Sequence, residues 1–362
     1  MVFFDMSKAF DTVPHSLLLA KLNKLGLDPY LLQWISNYLS DRSQCVCVDG
    51  VSSCCLPVVS GVPQGSVLGP LLFITYINDV ATCISSGSHV NMFSDDIVLY
   101  RIIKTAADYA HLQEDVDATS ECIQEKDLQF NATKCKTMLI SRKRLNMITP
   151  PQIILNGVVL DRVQSYKYLG VTLTSNLSWS PHISVCCNKT RKLIGHLYRR
   201  FYQHASTSTL LKLYCSFIRP HLEYGSIVWN PSLKGEIDQL EKVQKFALRV
   251  CLKSWDANYE DMLSTSNLPS LQKRRMLASL CHLFKISRGL TDFHDAPLQQ
   301  QVHSYNTRSL CKQMFSLPQC RTNSYQHSYF PNIISVWNSL PSEVTECNSV
   351  HTFKKYALSS FN

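Results

Sequence analysis

Residues 89–100, HVNMFSDDIVLY, constrain this chain more than any other stretch. Val90, Met92, Ile97, Val98, Leu99 and Tyr100 supply the apolar and β-branched bulk of two short strands, interrupted by Ser94, Asp95 and Asp96. Two adjacent carboxylates at a tight turn repel by about 1 kcal/mol in water and by several times that when half buried. The pair is costly unless a positive group joins it. A hard divalent cation such as Mg²⁺, held through carboxylate oxygens and substrate phosphates, is the usual partner. The same residues also suit a plain hairpin turn, because Asp favours turns for reasons unrelated to metals.

At 362 residues the chain exceeds a typical single core, so two or three domains are expected. The start, MVFFDMSKAFD, has an Asp at its fifth position and no basic region leading into an apolar run, unlike a signal peptide. The apolar run 71–77 is far shorter than the roughly 20 residues of a membrane span. An intracellular protein of nucleus or cytoplasm, not secreted and without a membrane partner, is therefore expected. The 15 Cys are irregularly spaced, with no paired C-x-x-C, which argues against structural zinc and for reduced core thiols. Charge is uneven: residues 1–150 hold 12 Lys and Arg against 15 Asp and Glu, whereas residues 151–362 hold 24 against 12. A basic excess confined to one region is the footprint of a surface that grips a polyanion.

Taken in order, Val2, Phe3 and Phe4 form a strand that ends at Asp5. Pro14 opens a helix with Leu17, Leu18, Leu22 and Leu25 on its apolar side and Gly26 as its stop. A second helix starts at Asp28-Pro29 and packs Leu31, Leu32, Trp34, Ile35, Tyr38 and Leu39 inward. Residues 43–59 read as a hairpin around Asp49-Gly50. In SGVPQGSVLGPLLF, Gly61, Gly65 and Gly69 let the backbone approach a ligand closely before a buried helix over 71–84. Residues 106–126 form a helix with an acidic, solvated face of Asp108, Glu114, Asp115, Asp117 and Glu121. Short strands follow around Asn131 and over 136–141, closed by a basic cluster Arg142, Lys143 and Arg144. A hairpin at Asn156-Gly157 and a strand over 166–173 come next. From Trp179 onward the pattern is helical, with Lys189, Arg191, Lys192, Arg199, Arg200, Lys242, Lys245 and Arg249 outward. Such faces near Tyr198, Tyr202 and Trp229 suit a phosphate backbone, or are simply the solvated outside of a bundle. Residues 290–330 read as loops, and two short terminal helices dock through Trp337, Leu340, Phe353 and Tyr356.

Three carboxylates stand out: Asp5 at a strand end, and Asp95 with Asp96 on a turn. In an antiparallel sheet these positions can share one edge, giving the donor set of a two-metal site for in-line displacement. Asp11 is the poorer candidate, because it can serve as a helix cap.

The segments FFDMSKAFDTVPH, SGVPQGSVLGPLLF, FSDD, LQFNATKCKTMLI and YKYLGVTLT occur in the order and spacing of the reverse transcriptases of non-LTR, jockey-like retrotransposons. The sequence resembles that family over residues 1–173, and the stretch 218–231, LEKVQKFALR and WNSLP resemble its C-terminal extension. The resemblance implies an α+β fold: a polymerase palm, an antiparallel sheet packed on helices, over 1–173; a helical thumb over 174–290; and a C-terminal extension over 291–362. It implies RNA-directed DNA polymerisation, with two Mg²⁺ ions (Mn²⁺ as substitute), an RNA template, a DNA primer and deoxynucleoside triphosphates.

By the same resemblance Asp5, Asp95 and Asp96 hold the metals. Met6 offers its carbonyl to the nucleotide-bound ion. Phe10 is the aromatic gate against a ribose 2′-OH, though it also reads as a core Phe. Gln64 and Gly65 pack on the incoming nucleotide, and Lys134 protonates or neutralises pyrophosphate, with Lys136 as a rival. Tyr168, Leu169 and Gly170 form the primer grip. Ser94 stands where the family usually has Ala. The family's fingers and endonuclease precede the point where this chain starts, so truncation with impaired activity is expected. The rival readings are a catalytically inactive remnant that binds nucleic acid and a metal-dependent nuclease.

Overall fold

The computed structural model describes residues 1–141, 151–291, 293, 298, 299 and 314–360, and the Arg142, Lys143 and Arg144 cluster lies outside them. The chain divides into two compact units, Met1–Ser178 and Trp179–Asn362. Among the described residues no helix is long and apolar enough to cross a membrane.

The first unit is built on a central three-residue strand, β1 (Val2–Phe4). Helices α1 (His15–Lys24) and α2 (Pro29–Leu39) follow; Gly26 at φ +82 ends α1, and the Asp28 carboxylate caps α2 by accepting from the Tyr30 amide. An arm of four two-residue strands comes next: β2 (Ser43–Gln44), β3 (Cys47–Val48), β4 (Val51–Ser52) and β5 (Leu56–Pro57). Its register slips by one between the Gln44/Leu56 and Cys47/Ser52 pairs, a bulge. Then come α3 (Leu68–Ile77), the hairpin β6 (Ser88–Phe93) and β7 (Asp96–Arg101), and α4 (Ala107–Gln124). Six short strands close the unit: β8 (Lys136–Thr137), β9 (Ile154–Leu155), β10 (Val158–Val159), β11 (Asp161–Arg162), and the pair β12 (Ser165–Tyr168) and β13 (Val171–Thr174).

The main sheet runs β11-β8-β1-β7-β6, with β1 antiparallel to both β7 and β8. Period-two alternation splits its faces. Val2, Phe4, Met6, Ile97 and Leu99 join the core with Leu18 and Leu22 of α1, Ile35 and Leu39 of α2, Phe73 of α3 and Val116 of α4. Phe3, Val98 and Met138 face the other way and pack on Tyr166 and Tyr168. The stretch 166–173, read from its residues as one strand and from the resemblance as a hairpin at Tyr168, Leu169 and Gly170, is a hairpin because Leu169 and Gly170 adopt positive φ and turn the chain.

Several expectations change. Leu17, Leu25, Leu31, Trp34, Leu71 and Ile74 are exposed, since the core takes only Leu18 and Leu22 from α1, Ile35 and Leu39 from α2, and Gly69, Leu72, Phe73, Tyr76 and Ile77 from α3. Asp115, expected on a solvated face, is 2 % exposed. It accepts from the Ser85 amide at 2.7 Å and from the Ser88 hydroxyl, with the Arg101 guanidinium 3.7 Å away. Asp115→Asn removes that charge and is expected to cost about 2 kcal/mol in urea unfolding; an unchanged midpoint would refute the network. Cys122, Cys135, Cys187, Cys251 and Cys347 are buried, but Cys45, Cys47, Cys54, Cys55 and Cys320 are exposed, so the thiols are not all core residues.

The second unit is helical: α5 (Ser180–Phe201), α6 (Thr207–Leu213), a π-helical turn Tyr214–Ile218, α7 (Pro220–Glu223), α8 (Ser226–Trp229), α9 (Lys234–Leu252), α10 (Tyr259–Ser266), α11 (Leu271–Ser287), α12 (Asn323–Gln326), α13 (Tyr329–Ser339), α14 (Ser342–Thr345) and α15 (Val350–Ser359). Gln244 is fully buried and bonds the Tyr214 hydroxyl at 2.8 Å and the Tyr259 hydroxyl at 3.0 Å, tying α9 to its neighbours. Trp229 is also buried, edge-on to His182, so it is a packing residue and not part of a surface. Trp337, Leu340 and Phe353 pack as expected, whereas Tyr356 is exposed.

Candidate active site

Register brings the three carboxylates to one edge. Phe4 pairs with Ile97 and Phe93 with Asp96, so Asp5 leaves β1 beside the residue where β7 begins. Alternation then puts Asp5 and Asp96 on the Phe3 and Val98 face, while Asp95 sits in the turn. Ser94 makes that turn at φ +56, a left-handed conformation that costs a non-glycine residue roughly 1 kcal/mol.

Electrostatics report the same closeness. Burial, then the negative charges of Asp95 and Asp5, hold the Asp96 carboxyl above its ordinary range. Burial and the Asp96 charge likewise push the Tyr166 and Tyr168 phenols up. Among the described residues Lys134 pairs with these carboxylates, its Nζ 3.7 Å from Asp5 Oδ1. Its turn is fastened to the strand end: the Asn131 amide donates to the Asp5 carbonyl at 2.8 Å, and the Asp5 amide donates to Cys135 Sγ at 3.3 Å. Lys136 points elsewhere, its Nζ 2.7 Å from Asp161 and 2.8 Å from the Thr133 carbonyl.

A carboxyl raised by its neighbours favours the protonated folded state, so its ionisation costs stability at neutral pH and costs nothing once acid protonates it in both states. Asp96→Asn should therefore stabilise the protein by about 0.5 kcal/mol at pH 7, the repulsion being weakened by solvent screening. Denaturation of both proteins between pH 7 and pH 4 should show the gap closing as pH falls. A variant less stable at pH 7 would contradict the repulsion.

The expected nucleotide-facing residues lie on a second, connected segment. Phe10 stacks on Phe73, ring centroids 4.5 Å apart, and packs partly buried against the core. Gln64 donates from Nε2 to Asp11 Oδ1 at 2.8 Å. Asp11 is thus no helix cap; Pro14 is the N-cap of α1, and no side chain caps it. Gly61, expected to bring backbone close to a ligand, brings it instead against the chain's own Phe10 and Asp11 backbone. At φ +89, a Cβ on it would lie 2.7 Å from the Asp11 Cα and the Phe10 carbonyl oxygen. Its amide donates to the Val13 carbonyl at 2.8 Å, and Val62 donates to the Phe10 carbonyl at 2.7 Å. Gly65, at φ +75, has open space around it. Met6 is buried, bridged to Phe130 through the Asp5 carbonyl and the Ser7 amide, so its own carbonyl does not enter that bridge.

Tyr168 closes β12 and Leu169-Gly170 make the turn into β13. Tyr166 stacks on Phe3 at 4.0 Å and Tyr168 lies 5.9 Å from the same ring, which seats this hairpin on the face that carries Asp5 and Asp96. Among the described residues no three His, Cys, Asp or Glu side chains already converge as a closed metal cluster. The donor set nonetheless fits a hard cation: oxygen ligands only, with negative charge that Lys134 alone does not balance.

A family model described as reverse transcriptase (RNA-dependent DNA polymerase) matches residues 1–173. The RNA-directed DNA polymerase from mobile element jockey of Drosophila melanogaster is 29% identical over 279 residues, 74% of this chain and 30% of that protein. The probable RNA-directed DNA polymerase from transposon BS of the same organism is 31% identical over 259 residues, 68% of this chain and 28% of that protein. This chain thus spans less than a third of the length of these relatives. A solved telomerase from Candida albicans aligns with 76% of this chain and 46% of its own at 13% identity and a TM-score of 0.31.

Proposed function

Because residues 1–173 belong to the reverse transcriptase family, we propose that this chain serves a retrotransposon as an RNA-directed DNA polymerase, with residues 1–173 as palm, 174–290 as thumb and 291–362 as a C-terminal extension. One observation carries the reading: Asp5 and Asp96 leave adjacent strands on one face, Asp95 stands in the turn between strands, and their mutual repulsion is incompletely balanced. The family is generally Mg²⁺-dependent. Asp5, Asp95 and Asp96 would hold two Mg²⁺ ions, which supply a lowered hydroxyl pKa at the primer end and neutralise charge on the leaving pyrophosphate.

The chain's own residues do the positioning. Gln64, fixed by Asp11, and Gly65, with open space above its backbone, form the floor for the incoming deoxynucleotide. Phe10, braced on Phe73, occupies the place where a ribose 2′-OH would need room, and the Met6 carbonyl adds an oxygen donor beside Asp5. Lys134 is close enough to Asp5 to neutralise or protonate pyrophosphate. Tyr168, Leu169 and Gly170 hold the primer end over the Phe3 face.

Purified protein incubated with poly(rA)/oligo(dT), Mg²⁺ and dTTP tests this reading. Template-dependent incorporation supports it. Salt-sensitive binding without incorporation supports the inactive remnant instead, and cleavage of a labelled duplex without extension supports a nuclease.

A further inference from the structure

The second unit carries an aromatic surface that packing does not consume. Tyr198 and Tyr202 lie four residues apart near the end of α5, ring centroids 4.6 Å apart. Beyond α9 the chain reverses at Lys253, φ +53, and brings Trp255 edge-on to Tyr198 at 6.4 Å. Phe246 of α9 then lies 6.4 Å from Trp255, so the four rings form one continuous series across two helices. Tyr198, Phe246 and Trp255 are each between 37 % and 45 % exposed. Clustered rings left in water are unfavourable unless something covers them.

The surroundings specify what covers them. Lys242, Phe246, Arg249 and Lys253 recur at three- and four-residue spacing and so share one side of α9, with no carboxylate at those positions. Lys253 Nζ sits 5.4 Å from the Tyr202 ring centre. Arg199 and Arg200 end α5 and are exposed beside the tyrosines. The carboxylate nearest in sequence, Asp256, is outnumbered. A partner made of flat apolar faces on a polyanionic backbone matches both features, whereas a protein surface matches only the rings. A duplex hides its base faces; an unpaired strand offers them.

We infer that the Tyr202, Tyr198, Trp255 and Phe246 series is a stacking platform for a single strand of nucleic acid, with Lys242, Arg249 and Lys253 tracking its phosphates. The inference concerns binding and holds for a catalytically inert chain.

Fluorescence anisotropy with the full chain tests it, using labelled oligo(rA) and an abasic strand of equal length and charge. Wild type should bind oligo(rA) more tightly. Trp255→Ala and Tyr198→Ala should each weaken oligo(rA) binding about tenfold and leave the abasic strand unaffected. Trp255→Phe should restore most of the loss, and because the assay contains neither deoxynucleotide nor Mg²⁺, its outcome is separate from failure of the catalytic reading. Lys253→Ala should weaken both strands alike and lower the salt slope by about one. Equal wild-type affinity for the two strands, or undiminished oligo(rA) binding by both alanine variants with native circular dichroism, would overturn the proposal. If Trp255→Ala unfolds, the exposed Tyr198 position decides alone.

Discussion

Asp95→Ala is expected to abolish primer extension, lowering incorporation about a thousandfold while leaving the fold intact. The magnitude is that of several kcal/mol of charge stabilisation removed from the reacting phosphates. The fold survives because Asp95 lies in the turn, outside the Phe93 and Asp96 ladder, and does not share the positive φ of Ser94. Alanine fits such a position. The informative comparison is with Asp96→Asn, which should lose activity to a similar degree yet gain stability at neutral pH. Two variants that fail catalytically and move oppositely or not at all in stability would show that the carboxylates are kept for chemistry against their own repulsion. Extension by Asp95→Ala at the wild-type rate would remove the metal site from the account.

Gly61→Ala is the second large effect, and it acts on structure first. The new methyl group would meet backbone atoms of Phe10 and Asp11 at 2.7 Å, and backbone cannot swing aside as a side chain can. Adding the left-handed φ, the expected destabilisation is about 4 kcal/mol. Relief would require parting the loop from the segment that carries Phe10 and Asp11, so Gln64 would lose its fixed partner. Surviving protein should therefore show a raised KM for deoxynucleotide. Gly65→Ala, in open space, should cost only about 1 kcal/mol of conformational strain. Urea denaturation of the pair distinguishes them, and equal midpoints would mean that the close approach does not exist.

How much of this was legible beforehand follows the range of each interaction. Alternation in HVNMFSDDIVLY encodes a hairpin, and once β1 is granted as its neighbour, Asp5 falls beside Asp96 without further information. Asn156-Gly157 and Asp49-Gly50 announce their turns because positive φ selects those residues locally. Asp115 was illegible because its partners Ser85, Ser88 and Arg101 come from another part of the chain, and an acid on a helix otherwise reads as solvated. Gln64 and Asp11 found each other the same way. The tryptophans are the plainest case: Trp229 and Trp255 look alike in sequence, yet one is fully buried and the other is nearly half exposed. Only the reversal at Lys253 decides that.

The order of strands in the main sheet also sets a timetable. The hairpin of β6 and β7 is local and can close within microseconds. Its catalytic partner is not local: β1, at the very start of the described chain, must insert between β7 and β8, whose last residue is Thr137. During synthesis the strand bearing Asp5 therefore waits, unpaired, until β7, more than ninety residues further on, has emerged from the ribosome. Until then Phe3 and Phe4 form an exposed apolar edge, the natural target for a chaperone on the nascent chain.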